Sequence, residues 1–143
     1  MGTLTVLPKG IDRYQADQGL IASGSISFAN ADDLTVEKKT SAISIPSGLD
    51  LHPDSLWFIA IDKPQEDTAG DLTVNIYNVI KVDGTNSRDV LLATFTVEKI
   101  TGARTCASHL LQGLFVGEGQ IKIGMKFAAD SGAITVYYKL FRI

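Results

Sequence analysis

Apolar and polar residues alternate with a period of two along most of this chain. Ile121, Ile123, Met125 and Phe127 fall in one phase, with Lys122, Gly124 and Lys126 in the other. Successive side chains of an extended strand point to opposite faces, so this pattern predicts a strand with one buried face. The segment 133–143 alternates in the same way. Only Ala128 to Gly132 separates the two runs, and Ala-Asp-Ser-Gly there reads as a turn. Leu20, Ala22, Gly24, Ile26 and Phe28 alternate with Ser23, Ser25 and Ser27, which predicts a strand with a solvated serine face. Two further alternating strands follow from Leu72, Val74 and Ile76, and from Leu91, Ala93, Phe95 and Val97. Asp83-Gly84 between them signals a hairpin, because glycine tolerates the positive φ of a tight turn.

Other stretches are less regular. A weak strand pair is expected near Leu34–Lys38 and Ser41–Ile45, ended by Pro46-Ser-Gly48. From Leu56 to Ile61 neither phase is polar, which predicts a strand covered on both sides or one whose outer face meets a partner. Lys63 to Gly70 reads as a polar loop. Residues 105–116 are expected to be a loop with one short helical turn, limited by Gly113, Gly117 and Gly119. Residues 1–19 read as an N-terminal arm or edge segment, and residues 20–143 as a single domain. Eight or nine short strands, with no long helical pattern to make parallel crossovers, predict an all-β antiparallel fold. A two-sheet β-sandwich, jelly-roll-like, is the expected architecture, with a closed β-barrel as the alternative.

Composition narrows the partners. At 143 residues the chain is long enough for one hydrophobic core without a disulfide or metal staple. The net charge is −3 and the basic residues do not cluster, so no stripe exists to displace counterions from a nucleic acid. No apolar run is long enough to span a bilayer as a helix, and the start of the chain lacks the pattern of a secretion signal. Synthesis in a cytoplasm is expected, and neither nucleic acid nor membrane is expected as a partner.

The chemistry-bearing residues are few. Cys106 and His109 would share one turn if 105–116 were helical, but the simpler reading is a small buried thiol and a loop histidine. His52 precedes Pro53 and reads as a turn residue. Two cysteine or histidine pairs of zinc-site spacing do not exist, so no zinc is expected. Asp62, Glu66, Asp67 and Asp71 frame one acidic loop and Asp32-Asp33 marks another, yet neither has the spacing of a calcium loop. No catalytic residue and no cofactor are expected, and the chain is not expected to be an enzyme. Trp57, Tyr77, Tyr137 and Phe141 occupy strand positions whose side chains can point outward, either as a stacking platform for sugars or as the lining of an interface.

Three stretches carry a family likeness: Leu56-Trp-Phe-Ile-Ala-Ile-Asp62, Lys81-Val-Asp-Gly-Thr-Asn86 and the closing Tyr137-Tyr-Lys-Leu-Phe-Arg142. Together they resemble the small β-sandwich virion proteins of tailed phages, including capsid decoration or cement proteins. Ser87 stands where that group has an aromatic, and residues 105–119 have no counterpart in it. The resemblance implies a non-enzymatic structural protein in the virion that binds the major capsid protein as a homo-oligomer, with a trimer favoured. On that reading Leu4, Val6 and Leu7 of the arm, with Trp57, Ile59 and Ile61, form the partner interface. A carbohydrate-binding or adhesion module of a phage tail device is the alternative, with Trp57 or the outward tyrosines against the sugar.

Overall fold

The computed structural model describes residues 19–45, 56–65, 68–112 and 116–142, and among these it contains nine strands and no helix. The strands are β1 (Leu20–Phe28), β2 (Lys38–Lys39), β3 (Ile43–Ser44), β4 (Leu56–Lys63), β5 (Leu72–Ile80), β6 (Arg88–Val97), β7 (Thr105–Gln112), β8 (Gln120–Phe127) and β9 (Ile134–Arg142). One sheet has the order β1-β9-β4-β7. The other has the order β2-β8-β5-β6, with β3 also paired to β8. Every ladder is antiparallel. The two sheets share no ladder, so the fold is a sandwich and not a closed barrel.

The chain repeatedly crosses from one sheet to the other, and each sheet interleaves early and late strands. That is the jelly-roll arrangement. One consequence is that β8 and β9, adjacent in sequence, lie in different sheets. Their connection is fixed at its base: Asp130 Oδ1 accepts from Leu34 N at 3.1 Å, and Asn30 Oδ1 from Ala133 N at 3.0 Å. The β5–β6 hairpin forms as the sequence predicts. Asp83 Oδ1 accepts from Thr85 N and Asn86 N, and Gly84 takes a φ of +79°.

Period two holds where the pattern was clear. Ile26 and Phe28, Leu72, Val74 and Ile76, Ile121 to Phe127 in alternation, and Val136 and Leu140 fill the space between the sheets. Two expectations of local secondary structure fail. Residues 105–112 form a strand rather than a helical turn, because pairing along β4 overrides the weak local signal. Leu34 sits in a turn and not a strand, fully buried, with its carbonyl accepting from Phe127 N at 2.8 Å. The proposed arm lies outside the described residues apart from Gly19, and so do Leu4, Val6 and Leu7.

Candidate functional site

The phase of β4 decides what the first sheet shows to solvent. Trp57, Ile59 and Ile61 face the core and are 0, 0 and 2 % exposed. These three side chains are therefore packing residues and supply neither a docking patch nor a sugar platform, contrary to the sequence reading. An apolar run on both phases leaves the inward phase undetermined, and here the larger indole is the one enclosed. The outward phase holds Phe58, Ala60 and Asp62 instead.

The register places the outward residues of four strands in rows across the sheet. Ser25, Tyr137, Asp62 and Cys106 form one row, and Ser23, Lys139, Ala60 and Ser108 the next. Phe141, Phe58 and Leu110 form a third, in which the two phenyl rings stack with centroids 4.7 Å apart and planes 12° from parallel. With strands about 4.8 Å apart, the four span roughly 14 Å. The first two rows line an open groove of about 760 Å³, and the stacked phenylalanines form the next row beyond it. Small side chains at Ser23, Ser25, Ala60 and Ser108 create the depression. Tyr137, 51 % exposed, stands in it as the large flat surface.

One ion pair fixes the groove's floor. Arg104, just ahead of β7, donates to both oxygens of Asp62, from Nε at 2.5 Å and from Nη2 at 2.8 Å. The Cys106 thiol lies 3.6 Å from Asp62 Oδ1. The hydrogen bonds from Arg104 hold the Asp62 carboxyl below the ordinary carboxylate range, and the same contacts raise the Arg104 guanidinium. On the inward side of β9 next to Tyr137, burial pushes the Tyr138 phenol up.

The other aromatics are elsewhere. Tyr77 lies on the outer face of the second sheet, where its hydroxyl donates to Glu37 and Lys39 Nζ sits 4.1 Å above its ring. Burial first, then Glu37, pushes Tyr77 up to about 12. Asn75 Nδ2 donates to the same carboxylate at 3.0 Å, and Asp89 joins Lys39 and Lys122 at 3.0 and 3.3 Å. Tyr77 is thus a structural post on the far side of the molecule. Only Tyr137 and Phe141 of the four expected aromatics share the groove face.

Cys106 and His109 do not pair, and the expected buried thiol and loop histidine are instead an exposed thiol and a strand residue of β7. Three positions apart on a strand they point to opposite faces, and His109 stacks on Phe95 at 4.3 Å, closing the side of the sandwich between β6 and β7. Among the described residues no group of three His, Cys, Asp or Glu side chains could hold a metal ion. Asp62 is engaged by Arg104 and Asp71 accepts from Lys99 N, while Glu66 and Asp67 lie outside the described residues. Asp32 and Asp33 serve their own turn, accepting from Ala29 N and Thr35 N.

No protein-family model and no curated protein matches the chain. Solved structures do. A carbohydrate-binding module of family 4 superposes with a TM-score of 0.52 at 9 % identity, over 92 % of this chain and 83 % of that one. The likeness is one of fold. A family 6 module from a Cellvibrio mixtus lichenase, solved with cellotriose, aligns at 0.49 and 13 % identity over 87 % and 98 % of the two chains. A cleaved adhesin domain of Lys-gingipain from Porphyromonas gingivalis aligns at 0.45 and 11 % identity over 87 % and 92 %.

Proposed function

We propose that this chain is a non-catalytic carbohydrate-binding module whose ligand lies in the groove across β1, β9, β4 and β7. The observation that carries the reading is the groove itself: a depression of about 760 Å³ that pairs one exposed tyrosine ring with rows of hydroxyls. A pyranose presents an apolar face of C–H bonds and a rim of hydroxyls. Tyr137 suits the face by stacking, and Ser23, Ser25 and Ser108 suit the rim as donors and acceptors. Likeness of fold to the family 4 carbohydrate-binding module supports the same reading.

Attachment to a capsid, the other reading of the sequence, draws no support from these observations, since Trp57, Ile59 and Ile61 are enclosed by the core.

A glycan array with wild-type protein and Tyr137→Ala tests the proposal. The wild type is expected to bind a defined set of glycans, and the variant to lose at least about tenfold, the equivalent of roughly 1.4 kcal/mol of stacking. Absence of binding across the array, or equal binding by the variant, refutes it.

A further inference from the structure

We infer that the glycan bound in this groove is acidic, carrying a sugar carboxylate that Lys139 receives. The inference rests on the groove being the ligand site and concerns which sugars it selects.

Lys139 stands two residues from Tyr137 on the same face of β9, about 7 Å along the strand. Its cross-strand neighbours in the register are Ser23 and Ala60, neither of which is acidic. Among the described residues no carboxylate pairs with its ammonium. Several other surface cations are matched, Lys38 with Asp32, Lys39 and Lys122 with Asp89, and Arg88 with Asp83, whereas Lys81 and Lys126, which lie outside the groove, also have no ion pair among the described residues.

The groove's one carboxylate does not compensate Lys139 either. Asp62 is spanned by both donor arms of the Arg104 guanidinium, so its charge is matched before any ligand arrives. The lining therefore carries one cation, Lys139, and one anion, Asp62, and because Arg104 beside the lining offsets that anion, the ammonium leaves a local excess of positive charge in a chain whose overall charge is −3. That excess is a property of the groove and not of the composition, and it attracts an anion placed beside the stacked ring. A ring resting on Tyr137 puts a substituent one residue pair away within reach of a flexible lysine. A carboxylate there gains a charge-assisted hydrogen bond, while a neutral hydroxymethyl in the same place leaves the ammonium with water alone.

The test is an array of uronic- and sialic-acid glycans printed beside the same glycans as methyl esters, followed by titration calorimetry of the best pair. Wild-type protein, Lys139→Gln and Tyr137→Ala are compared, each checked for an unchanged circular-dichroism spectrum. The acid is expected to bind at least tenfold more tightly than its ester, with the preference shrinking as salt rises. Lys139→Gln is expected to bring the acid down to the level of the ester and leave the ester unchanged. Equal binding of acid and ester, or a preference that survives in Lys139→Gln, overturns the inference while Tyr137→Ala still abolishes binding. If neither form binds, or Tyr137→Ala is silent, the module reading falls together with it.

Discussion

Replacing Gly124 by alanine is a sharp test of how the second sheet is held, because the sign of the effect is unusual. Gly124 lies mid-strand in β8 with no positive φ, and alanine in such a place ordinarily gains about 0.5–1 kcal/mol over glycine. Here a methyl group has no room. Its carbon would overlap Glu37 Oε2 and stand 2.8 Å from Glu37 Cδ and 3.1 Å from Tyr77 Cε2. Glu37 must then leave its seat, and with it go the hydrogen bonds from the Tyr77 hydroxyl and Asn75 Nδ2. Bonds to a charged acceptor contribute about 1.5–3 kcal/mol each. Tyr77 regains part of its share from water, whereas Asn75, only 9 % exposed, does not. After the backbone gain is subtracted, a net loss of about 2 kcal/mol remains, or roughly 4–8 °C in Tm for a chain of this size. Urea unfolding measures the loss and tyrosinate absorbance reports the cause. Tyr77, held at about 12 in the native protein, should ionise closer to 10 in Gly124→Ala. The sign follows directly. Between pH 10 and 12 the native state keeps a proton that the unfolded chain has lost, so wild-type stability falls through that window, and the variant's fall should be shallower. A variant as stable as wild type, with Tyr77 titrating as before, would refute the reasoning.

Three further outcomes are expected. Lys63 is 0 % exposed, its Nζ has no hydrogen-bond partner among the described residues, and it lies 6.0 Å from the Phe127 ring centre, so Lys63→Met should stabilise the protein by about 1–3 kcal/mol in urea; destabilisation would reveal an unrecognised partner. Asn78, also buried, donates to Gly117 O and Gln120 O and accepts from Gly117 N at 2.7–2.9 Å; Asn78→Ala should cost about 2–4 kcal/mol by calorimetry, and an unchanged Tm would show that the turn before β8 holds itself. The Asp62 carboxyl is lowered by Arg104, so the pair's contribution is present above the ordinary value of 3.8 and is lost only as pH falls through the lower native value; carboxyl-carbon NMR should show Asp62 titrating nearer 3.8 in Arg104→Ala, and no change would sink the assignment.

The sequence made β1, β5, β8 and β9 legible because each buries one face and leaves the other polar. It also located the Asp83-Gly84 hairpin and the sandwich. β7 is masked in the sequence for a physical reason: its inward positions are Thr105, Ala107, His109 and Leu111, half of them polar, since this edge strand closes the sandwich with a histidine–phenylalanine stack. The phase of β4 was hidden because Phe58 and Ala60 are apolar on the outer side as well. The groove could not be read from local pattern. Its lining runs from Ser23 to Lys139 and depends on β9 inserting between β1 and β4, which no window of sequence reports. Tyr137 is one of the outward aromatics that the pattern predicts. What marked it out from Trp57 and Tyr77 was tertiary: one was sealed in the interior and the other tied to Glu37.

The rows of the first sheet have an evolutionary corollary. Ser23, Ser25, Ser108 and Lys139 alternate with residues that carry the packing, so each is exchangeable without disturbing its inward neighbours. If the groove is the ligand site, recognition and foldedness are inherited on separate sets of positions, and a lineage of such chains is free to change its diet of ligands through a few outward substitutions while the interior stays as it is.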